Sequence, residues 1–323
     1  MTNEWDAVII GGGAAGLSAA QMLGRSRRRT LVLDGGEPRN RFAAHMHGVL
    51  GHDGLEPARL LEIGRAEART YDVEIVTGTV SSLTDEGALI RVQRSDGTVD
   101  MARAVVIATG IGDELPDVPG LREEWGRSVL HCPYCHGWEV AGQRLGVLST
   151  SPASTHQIEL VRQLSDRVTA FTGAADPLDE DTAERFTARD IRIVTAAVRT
   201  VHREQDALVI ATEDGTEHIV DALFTAGAPA LDLDFAAALG LERTDVPGLP
   251  IAVDMRGATS HPRVFAAGNV TAPFANVPVS MGAGSMAGAG VNAMLAAEDF
   301  DRAVAEGAAL RDDPEIVSRR RTE

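Results

Sequence analysis

The chain has 323 residues and a formal net charge of -17, from 30 basic and 47 acidic side chains, which disfavours nucleic acid and anionic membrane surfaces as partners. At 44% hydrophobic and 24% charged it has a globular composition, long enough for two domains. No stretch approaches the roughly 18 apolar residues of a membrane span, and the apolar run at 7–10 has neither the length nor the basic flank of a signal peptide, so a soluble cytoplasmic protein is expected.

In chain order, residues 6–10 read as a buried strand, followed by three glycines and a small-residue helix at about 14–23. The arginines at 25 and 27–29 are expected at a solvated helix end. A second strand at 30–33 ends at Asp34, which completes a strand, turn, helix, strand unit of the doubly wound kind. Pro57 suits the first turn of a helix running to about 70, since the N–H it lacks is unpaired there anyway.

A repeat follows. Residues 89–92, a turn at Asp96 and Gly97, and a run at 104–107 lead to Ala108, Thr109 and Gly110. Residues 208–211, a turn at Asp214 and Gly215, and a run at 222–224 lead to Thr225, Ala226 and Gly227. Each reads as a hairpin returning to a central sheet. The second has its own upstream strand at 144–148 and helix at 154–164. A strand at 263–267, an exit at Gly268 and Asn269, and a helix at 284–297 close the first unit, and the basic residues at 319–321 read as a frayed tail.

The predicted fold is therefore α/β, with two doubly wound Rossmann-like domains. The second, at 119–246, is inserted into a discontinuous first domain at 1–118 and 247–323.

Gly11, Gly12, Gly13, Ala14, Ala15 and Gly16 match G-x-G-x-x-G between a strand and a helix. Gly11 permits the tight turn, Gly13 lets the backbone approach a pyrophosphate, and Gly16 lets helix and strand pack closely. The helix N-terminus offers N–H groups to phosphates. Asp34, ending the second strand, is placed to accept ribose hydroxyls.

The only cysteines, Cys132 and Cys135, stand at redox-motif spacing between His131 and His136. A zinc site is the competing reading, but four ligands crowded into six residues cannot easily surround one ion, and no second C-x-x-C exists. No metal is expected.

On the glycine turn, the segment 108–110, the cysteine pair and the segment 264–270 ahead of a small-residue helix, the chain resembles the low-molecular-weight thioredoxin reductase family along essentially its whole length. Within that family, Cys-Pro-Tyr-Cys-His-Gly-Trp-Glu at 132–139 resembles the branch that forms disulfides in small molecules such as gliotoxin and holomycin.

The resemblance implies a homodimer with FAD in the first domain, held by Gly11, Gly13, Ala14, Ala15, Gly16, Asp34, Asn40, Val80, Thr109, Gly110, Gly268, Asn269 and Val277. An aspartate is usual where Asn269 stands, and an amide can still bond a hydroxyl. The glycine-rich helix after it would bring a favourable dipole to the flavin pyrimidine, although the same glycines equally serve close packing.

The resemblance also implies Cys132 as the outer sulfur and Cys135 as the flavin-proximal one. His136, where the reductases usually carry an acid, is the candidate general base for an incoming thiol; His131 is not assigned a role. Trp138, Tyr134 and the segment 44–48 could shape a small-molecule opening, or serve as packing and plain loop.

NADPH is doubtful. The turn after 144–148 reads Ser-Thr-Ser-Pro-Ala-Ser, without glycine, and 171–177 lacks the arginines the family uses for a 2'-phosphate and offers Asp176 instead. Oxidation of a dithiol, with oxygen or another acceptor, is therefore expected. NADPH-dependent reduction of a disulfide or a thioredoxin-like protein, and a non-catalytic flavin-bound redox sensor, are the alternatives.

Overall fold

The structure, a computed structural model, describes residues 3–312. The basic residues at 319–321 lie outside the described residues. Two units are present. The first is built on the chain up to Gly36, on Ile63–Gly110 and from Asp232 onward; the second consists of Glu37–Glu62 and Ile111–Leu231. The expected cuts at 118 and 246 fall elsewhere, and Glu37–Glu62, expected in the first domain, packs with the second.

The chain begins with β1 (Asn3–Ile10), α1 (Ala14–Arg25), β2 (Thr30–Asp34), α2 (Pro57–Arg69), β3 (Glu74–Thr77), β4 (Val80–Asp85), β5 (Ile90–Arg94) and β6 (Val99–Ile107). β3, β2, β1 and β6 lie parallel in that order. On the far edge of β6, the first half pairs antiparallel with β5, and β4 follows β5 outward.

The second unit contains β7 (Gly112–Glu114), β8 (Val129–Leu130), α3 (Pro133–His136), β9 (Leu145–Leu148), α4 (Ala153–Leu164), β10 (Val168–Phe171), α5 (Glu180–Thr187), β11 (Arg192–Val194), β12 (Val198–Glu204), β13 (Ala207–Thr212), β14 (Glu217–Val220), β15 (Ala222–Thr225) and β16 (Ala228–Ala230). Its parallel sheet runs β11-β10-β9-β15-β8, while β12, β13 and β14 form a separate antiparallel sheet. Back in the first unit, β17 (Val264–Ala266) pairs parallel with the second half of β6, and α6 (Val277–Asp312) follows.

Small residues set the packing of the first unit. Ala15, Ala19, Ala20 and Leu23 of α1 meet Ala287, Val291 and Leu295 of α6 over Ala7, Ile9, Val32, Ala104 and Val106 of the sheet. The space a Cβ would need at Gly284 is taken by the Ala15 backbone, and at Gly288 it lies 2.7 Å from the Ala19 carbonyl oxygen, so these glycines serve tight helix contact. α6 is also far longer than the expected 284–297.

Two expectations are corrected by side-chain placement. Arg28 is not at a solvated helix end: it donates to Asn292 at 2.8 Å and to Asp299 at 2.6 Å, and only 14% of its side chain is exposed. The second hairpin does not return to the central sheet as one strand. In the first unit β6 is both hairpin strand and central strand; in the second, Asp221 divides those roles between β14 and β15. Its carboxylate accepts from the Arg144 backbone N–H at 2.8 Å and guanidinium at 2.5 Å, a bond that requires the chain to turn there.

Among the described residues no helix is long and apolar enough to cross a membrane.

Candidate active site

Cys132 and Cys135 are joined in a disulfide across the single turn of α3, with Cα atoms 5.2 Å apart. Pro133 opens this turn, where a missing N–H costs nothing, and Cys132 caps it in extended backbone, so the backbone N–H of Cys135 reaches the Cys132 carbonyl at 3.1 Å. The turn is anchored from both sides. Gln157 of α4 donates to the His131 carbonyl at 2.6 Å, and buried Gly137 lets the turn settle against Leu164.

Both flanking imidazoles carry a buried nitrogen without a hydrogen-bond partner, Nδ1 of His131 and Nε2 of His136. Burial pushes both rings below the ordinary histidine range. For His136 the Glu139 carboxylate pulls the other way and the neighbouring His47 adds to the lowering. His136 is therefore held toward the neutral, proton-accepting form.

Beside His136 is a pocket of about 520 Å³ within the second unit. Its lining includes Arg41, Phe42, Ala43, Ala44, His45 and His47 from Glu37–Glu62, and Gly126, Arg127, Leu130, Glu139 and Val140 from the later part of the unit. Gly126, at φ +76, brings the two parts together, because a Cβ there would stand 2.6 Å from Cβ of Phe42. Two side-chain contacts fasten Glu37–Glu62 in place. Arg39 holds Asp113 through two bonds of 2.7 and 2.5 Å, and His47 lies 3.2 Å from Glu139 and 3.3 Å from Asp53.

The segment 44–48 thus shapes an opening. Tyr134 and Trp138 do not line it: they are 78% and 85% exposed.

In the first unit, Gly11, at φ +109, sits where a side chain would strike Ala108, and a Cβ on Gly16 would strike the Gly11 carbonyl. Nothing lies within 4 Å of the Cβ direction of Gly13, and no side chain caps the start of α1. That space, at Gly13, Ala14 and Ala15, suits a pyrophosphate.

Asp34 receives Arg65 at 2.8 Å and the Gly36 N–H at 3.0 Å. Burial alone would raise its carboxyl, but these bonds and the guanidinium charge hold it below the usual range. It is thus an ionised acceptor, suited to ribose hydroxyls.

Thr109 and Gly110 follow β6, Gly268 adjoins Ala15, Val80 opens β4, and Val277 opens α6. Asn269 spends its amide N–H groups on the carbonyls of Ala272, Pro273 and Ala275, at 3.0, 3.2 and 2.8 Å, which fixes the approach to α6. Its Oδ1 remains for a ligand. Asn40 belongs to Glu37–Glu62, in the second unit. The first unit's residues fit an FAD.

The corresponding turn of the second unit carries side chains in place of glycines. Ser154 at the start of α4 accepts the backbone N–H groups of Thr150 at 3.1 Å and Ser151 at 3.4 Å. Two backbone donors of that turn are thus taken up by a hydroxyl of the chain itself.

Two doubly wound units, one with a glycine turn and one with a cysteine pair closed in a one-turn helix, define a flavin-type disulfide oxidoreductase. The description "Pyridine nucleotide-disulphide oxidoreductase" matches residues 5–288, and the chain belongs to that flavin-dependent family of enzymes. It is 32% identical over 314 residues to "Thioredoxin reductase tcpT" of Claviceps purpurea (strain 20.1), which covers 92% of this chain and 96% of that one. It is 33% identical over 309 residues to "Thioredoxin reductase sirT" of Leptosphaeria maculans, covering 89% and 93%. The crystal structure of HlmI superposes with a TM-score of 0.91 at 40% identity, covering 96% of this chain and 98% of that one. These likenesses bear out the resemblance read from the motifs.

Sequence reasoning did not single out Phe42, Glu139 or Arg127, and it took His47 only as part of a loop. Glu139 stood inside the recognised octapeptide; nothing local marks the others.

Proposed function

We propose that this protein oxidises a dithiol substrate to a disulfide through Cys132 and Cys135. The glycine turn, Asp34 and Asn269 would hold FAD, which would supply the two-electron acceptor for reoxidising the pair, with oxygen or another compound as the final acceptor.

In the proposed sequence, His136 takes the proton of an incoming thiol. The resulting thiolate attacks Sγ of Cys132, forms a mixed disulfide and breaks the Cys132–Cys135 bond, which leaves Cys135 as a thiolate. The second substrate thiolate then attacks the substrate sulfur bound to Cys132. The substrate departs as a disulfide, two electrons poorer, and the cysteine pair is left reduced.

The observation that carries the direction is the glycine-free turn ahead of α4, whose side chains stand where a pyrophosphate would approach and two of whose N–H groups Ser154 takes up. A reductase draws electrons from a nicotinamide, and the second unit's turn has its N–H donors occupied and no glycine for close backbone approach. A dithiol oxidase has no such need. The second reading, an NADPH-dependent disulfide reductase, has the names of the two fungal relatives, both called thioredoxin reductases, in its favour. The family resemblance supports a cytoplasmic homodimer under either reading.

The deciding experiment is anaerobic reduction of the bound flavin by NADPH and by a dithiol, side by side. The dithiol is expected to bleach the flavin while NADPH does so slowly or not at all. Fast bleaching by NADPH alone would replace the oxidase with the reductase.

A further inference from the structure

The pocket beside His136 has a charge of its own. Phe42, Ala43, Ala44, Leu130 and Val140 give it an apolar wall, and Arg41 and Arg127 stand at the same opening. The chain has 47 acidic residues against 30 basic ones, all of them arginine, so carboxylate partners are abundant. Arg127 is exposed, and among the described residues its side chain makes no hydrogen bond or ion pair, so its N–H groups are open to a ligand.

Arg41 lies 4.3 Å over the Phe42 ring and donates to the Pro38 carbonyl at 3.1 Å. Its nearest carboxylate, on exposed Glu37, is 3.8 Å away. A guanidinium has five N–H donors, and these contacts leave most of Arg41's unspent. The carboxylate that does line the pocket, Glu139, is engaged by His47, and His45 directs Nδ1 to the Gly54 carbonyl at 3.1 Å. Nε2 of His136 is buried and unpartnered.

We propose that the dithiol taken by this site is a small molecule bearing a carboxylate. Arg127 and Arg41 bind the carboxylate, the apolar wall takes the hydrocarbon frame, and His136 faces the thiol end. A hollow of about 520 Å³ is of a size that takes a small molecule. A neutral dithiol would leave both guanidiniums merely solvated, whereas a carboxylate matches their planar fork. This deepens the oxidase reading and rests on it.

Dihydrolipoate and dihydrolipoamide test it, because they share one dithiol and one chain and differ in the charge at its far end. The second-order rate of anaerobic flavin reduction in the holoenzyme is expected to favour dihydrolipoate by about tenfold, the scale of one charge-assisted hydrogen bond. The ratio should fall to about twofold or less in R127Q and in the double variant R41Q/R127Q, while R127K retains part of it. Octanoate should compete with dihydrolipoate and octanamide should not, a measurement that needs no variant.

Equal rates with the two dithiols, or a ratio that survives in the double variant, would overturn the carboxylate while leaving the oxidase standing. Bleaching by neither dithiol would remove the oxidase and this proposal together.

Discussion

Nε2 of His47 lies 3.2 Å from Oε1 of Glu139, which ties a residue of Glu37–Glu62 to the chain just past the redox disulfide. Glu139 also raises the affinity of His136 for its proton, against the larger effect of burial. In Glu139→Gln that support is lost, so the His136 imidazole should titrate at still lower pH. The acid limb of flavin reduction by a dithiol is expected to move down. An upward move would mean that His136 is not the group being titrated.

His136 and His131 are both depressed below the ordinary histidine value by burial, and the sign follows from linkage. With the folded value below the unfolded one, the unfolded chain binds more protons between the two, so stability rises with pH across that window. Their contribution is fully present above about pH 6.5, the unfolded value, and is lost as pH falls below it toward the folded values. Chemical denaturation of the holoenzyme between about pH 7 and pH 5 should therefore show a falling midpoint, and the fall should be shallower in His131→Gln/His136→Gln. An equal fall in the double variant would assign the effect to other groups.

Two glycines of one turn should fail differently. Gly16→Ala places a methyl against the Gly11 carbonyl, and a loss of about 2–4 kcal/mol is expected by denaturant titration. Gly13→Ala meets no protein atom within 4 Å, so the flavin-free protein should lose under about 1 kcal/mol while flavin content drops sharply. Full flavin content in Gly13→Ala would place the pyrophosphate elsewhere.

Ser154→Ala removes the acceptor shared by the Thr150 and Ser151 N–H groups. It should cost about 1–3 kcal/mol, as loss of a buried hydrogen-bond acceptor does, measured as a shift in the denaturation midpoint. NADPH should remain a poor reductant, since the side chains around the turn still hold a pyrophosphate away. A rise of many-fold in its rate would make the hydroxyl itself the obstruction.

The alternation of strand and helix was legible in the sequence because each element carries its own period, and the glycine turn because its three steric demands fall at fixed spacing. The cysteine pair was legible because only two cysteines exist. Glu37–Glu62 was not: its place in the second unit rests on Arg39 with Asp113 and His47 with Glu139, pairs far apart in the chain and without local pattern. The break between β14 and β15 did leave a trace, since Asp221 interrupts an otherwise apolar run, as a buried strand does not tolerate without a partner.

Because Phe42, His45 and His47 reach the pocket from the first stretch of the second unit, and Leu130, His136 and Val140 from the later one, neither stretch encloses it alone. A fragment limited to Ile111–Leu231 would keep the bonded sulfurs but open the hollow at His136 to water. Transplanting this redox turn into a foreign scaffold therefore means moving two separate lengths of chain, with Gly126 as the seam where they meet.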